Sequence, residues 1–162
     1  MPYALLALVL VILDQVVKYL VLTHIPLGGY VPFLPHIACL TYVQNTGAAF
    51  SMFSQHTWIL ALISLIMSVV LAVALWKNFF THPLGKVTLA LLLAGAVGNL
   101  IDRTLRGFVV DMFQLLFMNF AVFNVADICV VVGGIAAAAY YLLLADKLEH
   151  KEAPHGTADA DR

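Results

Sequence analysis

The sequence predicts an all-α membrane protein of four transmembrane helices, and three observations lead there. Of the 162 residues, 63% are hydrophobic and 10% charged, where a soluble domain carries roughly a quarter charged residues. Four stretches approach the about 20 apolar residues that a helix needs to cross the hydrocarbon core with its backbone hydrogen bonds satisfied internally. Lys and Arg are spread unevenly over the connecting segments, which sets an orientation. The net charge of −1 gives no footprint for nucleic acid. Cys39 and Cys129 stand far apart, outside any metal-ligand or disulfide spacing, so no metal or other cofactor is expected.

The first helix is expected over residues 3–22. It lacks the basic n-region and small-x-small cleavage site of a signal peptide, and Asp14 and Lys18 interrupt its apolar run, so it reads as part of the mature protein. The others are expected over 58–76, 84–102 and 125–145, which makes residues 1–145 one membrane domain followed by a polar cytoplasmic tail, 146–162. Lys77 and Lys86 lie between helices two and three, and Lys147 and Lys151 in the tail, whereas residues 23–55 contain neither Lys nor Arg. Both termini are therefore expected in the cytoplasm, with 23–57 and 103–124 outside. Arg103 and Arg106 break the charge rule on that side and ask for a functional reason.

The outer segments carry their own signals. Pro26, Gly28, Gly29, Pro32 and Pro35 punctuate the first, after which residues 38–43 (ACLTYV) read as a short strand. Residues 108–123 are too apolar and aromatic for a free loop and predict strand or interfacial structure.

With eight Lys and Arg and nine Asp and Glu in the whole chain, each charge invites an explanation. Asp14 lies inside the first helix, where a carboxylate is paired or functional. Lys18 follows at i+4 in the favourable orientation, so an internal structural ion pair is the expectation. Asn99, Asp102 and Arg103 share one face at the outer end of the third helix. They fit an interfacial charge pair and a set of substrate-binding donors equally well. Asn124 and Asp127 open the fourth helix as N-cap and N3, a capping box. That pattern accounts for Asn124 but not for Asp111, a carboxylate in the apolar strip feeding the same helix end.

Asp102, Asp111 and Asp127 are thus all delivered to the outer boundary of the bundle. Two carboxylates brought close share a proton, so that one takes a proton from an attacking water while the other donates to the carbonyl oxygen or leaving nitrogen. Ser51, Ser54, Ser64 and Ser68 lack a nucleophile elbow, and His24, His36 and His56 lack metal-ligand spacing. The competing expectation is a small proton-coupled transporter or channel, but that requires acids threaded along the membrane normal, and only Asp14 is deep.

The motifs resemble those of lipoprotein signal peptidase, also called signal peptidase II. Asp14-Gln15 with Lys18 is similar to its first-helix motif, and Asn45-Thr46-Gly47-Ala48-Ala49-Phe50 to its NxGAAF stretch. The run from Gly95 to Arg103 resembles GAxGNxxDR, and Gly107 to Asp111 and Phe123 to Asp127 resemble the segments that hold the family's two aspartates. The resemblance implies Asp111 and Asp127 as the catalytic dyad, with Asn45, Asn99, Asp102, Arg103 and Asn124 as substrate-binding or supporting residues. It also implies a small extracytoplasmic β-sheet and a short interfacial helix. The activity implied is removal of signal peptides from diacylglyceryl-modified prolipoproteins in a bacterial inner membrane. A monomer in contact with membrane lipids is expected, and a carboxylate pair needs no metal for this hydrolysis.

Overall fold

In the computed structural model, residues 2–47 and 57–144 are described. They form α1 (Pro2–His24), β1 (Tyr30–Leu34), β2 (Ala38–Asn45), α2 (Thr57–Trp76), α3 (Pro83–Leu105), β3 (Val109–Leu115) and α4 (Val125–Ala139), the last continued by a π-helical segment, Tyr140–Leu144. Four helices are long and apolar enough to cross a membrane, the fourth running to Leu142. Beside them β1, β2 and β3 make one antiparallel sheet in that order. The expected interfacial helix is not among the described outer residues. Residues 48–56, which include Ala48, Ala49 and Phe50 of the NxGAAF stretch, and the tail from 145 onward lie outside the description.

Local chemistry explains where the elements stop. Asn78 ends α2 in the left-handed region at φ 50, with its N–H on Leu75 O and the Phe79 N–H on Ala74 O, the double bond of a Schellman cap. His82 opens α3 by accepting the Leu84 N–H on Nδ1 at 3.2 Å, with Pro83 in the first turn, where a missing N–H costs nothing. α3 runs to Leu105, about one turn beyond the expected 102, and the Arg106 N–H closes its last turn on Asp102 O at 2.8 Å.

α3 is the hub, packed against α1, α2 and α4. In lipid no hydrophobic force joins helices, so close approach of small residues has to. A Cβ on Gly95 would meet Ala126 O at 2.5 Å, and one on Gly98 would meet Asp14 Oδ2 at 2.7 Å and Ala126 Cβ at 3.0 Å. Two glycines one turn apart therefore seat α4 and α1 against α3 at the same level. The opposite faces of α1 and α2 expose Leu5, Leu8, Ile12, Ile63, Ile66 and Val70, the side chains that suit acyl chains.

The strand expected at 38–43 extends to Asn45, and the apolar strip contributes β3. A register shift between Leu40 and Val43 in β2 marks a bulge, which bends a strand and re-aims its side chains. Val21, Ile25, Tyr42, Val110 and Met112 form one buried cluster, tying the outer end of α1 to β2 and β3.

Candidate active site

The chain leaves α3 through Gly107, whose φ of 77 is a conformation open to glycine and costly for other residues. It returns as β3, with Asp111 opposite Val43 and Val109 opposite Asn45. Asn45 and Asp111 thus lie near each other across the sheet, and Asn45 Nδ2 donates to Asp111 Oδ2 at 2.9 Å.

β3 then pins the segment that leads into α4. Phe123 O accepts from Met112 N–H and Phe113 N–H at 3.0 and 2.8 Å, and Phe123 N–H donates to Phe113 O at 3.1 Å. The next residue, Asn124, is the N-cap of α4. Its Oδ1 accepts the Asp127 N–H at 2.8 Å, and Asp127 Oδ2 accepts the Asn124 N–H at 3.1 Å. The capping box expected from sequence is present, and it does not exhaust either side chain. Asn124 Nδ2 donates to Asp111 Oδ1 at 2.6 Å and to Asn99 Oδ1 at 3.1 Å. Asp127 Oδ1 accepts from Asn99 Nδ2 at 2.8 Å.

Three asparagine amides therefore hold two carboxylates, and both carboxylates line one cavity of about 430 Å³. Burial, and next the charge of Asp127, push the Asp111 carboxyl up from the ordinary 3.8 to about 6, against the opposing hydrogen bonds of Asn45 and Asn124 and the charge of Lys18. Asp111 is 1% exposed. A carboxyl whose titration is raised toward neutral pH beside a second carboxyl is equipped for acid–base chemistry on water.

Arg103 lines the same cavity, and so do Phe120, Phe123, Ile128 and Val131, which make the rest of its wall apolar. Arg103 donates to Ser64 Oγ at 3.3 Å and Gly47 O at 3.4 Å, not to Asp102. The shared face expected for Asn99, Asp102 and Arg103 is thus divided. α3 is surrounded, so Arg103 turns to α2 and the β2 end, Asn99 to α1 and the start of α4, and Asp102 to α1 and β3. Asp102 is fully buried and engaged by Lys18, Gln15, Arg106 and the Val110 N–H. It stays out of the cavity, which breaks the apparent equivalence of the three acids. Asp14 pairs with Lys18 at 2.9 Å. Ser64, Gln15 and Arg106 are contributors that sequence reasoning left without a task. Their signal was weak but present, a polar side chain in an apolar helix for Ser64 and Gln15, and an outward positive charge for Arg106.

Comparison with known proteins decides the class. The family model described as signal peptidase (SPase) II matches residues 6–143. The chain belongs to the signal peptidase II family. As a family member it is an aspartic peptidase, and the ion-path reading loses its support. The lipoprotein signal peptidase of Enterococcus faecalis is 44% identical over 155 residues, 96% of this chain and 95% of that protein. That of Streptococcus pneumoniae is 45% identical over 136 residues, 80% of this chain and 85% of that protein. A solved bacterial membrane enzyme has a TM-score of 0.81 at 30% identity, covering 99% of this chain and 94% of its own. A second gives 0.80 at 33% identity, covering 88% and 93%.

Proposed function

We propose that this signal peptidase II removes signal peptides from diacylglyceryl-modified prolipoproteins, cutting on the amino side of the lipidated cysteine with a water activated by Asp111 and Asp127. The observation that carries the reading is the two carboxylates on one cavity wall, held by Asn45, Asn99 and Asn124. One aspartate, ionised, takes a proton from water as its oxygen adds to the scissile carbonyl carbon. The other, protonated, donates to the carbonyl oxygen and so relieves the developing charge. Collapse of the tetrahedral species breaks the C–N bond, and a proton delivered to the leaving nitrogen frees the cysteine amine. Arg103, with its Nε buried and unpartnered among the described residues, supplies a donor for a substrate carbonyl.

The cavity walls suit such a substrate. The apolar side, Phe123, Ile128, Val130 and Val131, fits the signal helix and acyl chains. A second cavity of about 410 Å³ shares Asn45 and Asp111 and adds Gln44, Thr46 and Asn119, polar groups that fit the chain beyond the cysteine. The scissile bond then crosses Asp111. The Lys distribution supports cytoplasmic termini and a dyad at the outer face of the bacterial inner membrane, where the lipid anchors of substrate and enzyme supply proximity. A working monomer is part of this proposal.

The test is cleavage of a lipid-modified proprotein in membranes by Asp111→Asn and Asp127→Asn separately. Each is expected to lose roughly a thousandfold or more in turnover, in the range seen when one member of a catalytic set is removed. Near-normal turnover in either variant would overturn the dyad.

A further inference from the structure

Behind the dyad lies a charge cluster that the proposed chemistry does not use. Lys18 Nζ sits 2.9 Å from Asp14 Oδ2 and 3.1 Å from Asp102 Oδ2, with all three side chains at most 1% exposed. Removing such a cluster from water is unfavourable, and an apolar replacement of similar volume is often no less stable. Stability alone is therefore a weak reason for its presence. The remaining bonds of each acid are more telling. Asp14 Oδ1 accepts the N–H of Ala126 at 2.9 Å, and Asp102 Oδ2 accepts the N–H of Val110 at 3.0 Å. Ala126 immediately precedes Asp127, and Val110 immediately precedes Asp111.

We propose that Asp14 and Asp102 are paired positioning residues, each gripping the backbone one residue before a catalytic aspartate, and that Lys18 between them sets the separation of the two grips. The proposal rests on the dyad reading above. An ammonium group has three donors, and Lys18 places them on Asp14, on Asp102 and, at 3.1 Å, on Asn99 Oδ1. The third bond settles the orientation of the Asn99 amide, because the oxygen faces Lys18 and leaves Nδ2 to face Asp127. Gln15 Nε2 lies 3.1 Å from Asp14 Oδ2 and 3.3 Å from Asp102 Oδ1, bracing the two acids against each other. Arg106 completes the charge balance on Asp102, two bases for two acids, which gives this outward positive charge its task. Gly98 makes room for the assembly, since a Cβ there would collide with Asp14 and Ala126.

A purely structural cluster and a positioning device differ in what they do to the folded enzyme. Loss of a grip shifts an aspartate by a fraction of an ångström, which weakens transition-state stabilisation more than substrate binding. The experiment uses the full chain in bilayers with Asp14→Asn and Asp102→Asn, which keep the volume, and Arg106→Gln, at a site 25% exposed. Three quantities are read per folded enzyme. They are kcat, KM for a lipid-modified proprotein, and Kd for a lipidated peptide whose scissile amide is replaced by a hydroxyl-bearing isostere. For both Asn variants kcat is expected to fall about ten- to a hundredfold with KM within about twofold, and isostere affinity to fall in parallel with kcat. Arg106→Gln is expected to move kcat and isostere affinity the same way by about threefold, as for a partly exposed contact. Wild-type kcat and isostere affinity in Asp14→Asn and Asp102→Asn would overturn the proposal. So would a loss of total activity accounted for wholly by a smaller amount of folded enzyme, with wild-type values per folded molecule. Should the Asn variants not fold, Arg106→Gln decides, and unchanged values there reject it. Failure of the dyad itself is distinguishable, because it requires turnover in Asp111→Asn or Asp127→Asn.

Discussion

Asn124 donates its side-chain amide to Asp111 at 2.6 Å, and so the residue that caps the helix of one aspartate also holds the other. The helix cap and the strut of the proposed dyad are one side chain. Asn124→Ala removes both, and is expected to cost about 1 kcal/mol in stability, as for loss of an N-cap, and roughly a hundredfold in kcat, as for loss of a preorganised donor. Asn124→Ser restores a cap acceptor but no amide donor. Thermal unfolding should therefore recover in the Ser variant while turnover stays low. Equal recovery of both would show that Asn124 acts only as a cap.

Asp111 sets a pH dependence whose sign is opposite to that of a salt-bridged acid. Its folded carboxyl is raised to about 6 from 3.8, so between these values the folded chain holds a proton that the unfolded chain has released. Stability from this group falls as pH rises through that window and stays reduced above it. Wild type should lose more Tm than Asp111→Asn on going from about pH 4 to about pH 7. If the dyad of the free enzyme needs this proton, kcat/KM declines as pH rises beyond about 6. A flat profile from about pH 5 to about pH 8 would remove Asp111 from the acid role.

Gly98 is a packing requirement with a catalytic consequence. Gly98→Ala places a methyl 2.7 Å from Asp14 Oδ2 and 3.0 Å from Ala126 Cβ, and overpacking of this kind costs about 1–3 kcal/mol. Both unfolding temperature and turnover should fall. Gly134, where a Cβ meets nothing within 4 Å, is the control, and Gly134→Ala should match wild type in both.

Lys18→Met leaves Asp14 and Asp102 facing each other without their shared cation. Removing one partner of a buried ion pair costs about 3–5 kcal/mol, which unfolding in detergent should register. Lys18→Arg is not expected to restore wild-type stability, because a planar guanidinium does not fit a site built around a compact ammonium.

Turnover in the presence of a chelator should be unchanged, since the proposed chemistry uses only carboxylates and water. Loss of activity that added metal restores would bring a cation into the mechanism.

Much of the site is legible in the linear sequence because the membrane makes polar residues expensive. Asp14, Lys18, Asn99, Asp102 and Asp127 stand out in apolar stretches, and charge is tolerated there only when it is paired or used. Asn124 and Asp127 are legible for another reason, since a capping box is a local motif with a fixed spacing. Gln15 and Arg106 were visible too, but no local rule says what a polar side chain touches on another helix. Arg103 shows the limit of helical-face reasoning. It shares a face with Asn99 in sequence, yet a long side chain on a surrounded helix can turn to a different neighbour, here Ser64 and Gly47.

The sequence by itself determined the four apolar spans, the strand signals and the family motifs, because burial in lipid imposes length and composition locally. The motifs single out Asp111 and Asp127 by resemblance alone, and only the tertiary structure supplies a physical distinction among the three acids. Asp102 is enclosed by Lys18, Arg106 and the Val110 N–H, while Asp111 and Asp127 line a common cavity. That distinction depends on how closely α1, α3 and α4 approach and on where β3 crosses them, quantities set by Gly95, Gly98 and the Phe113–Phe123 pairing acting together. No stretch of chain short enough to read by eye contains them all.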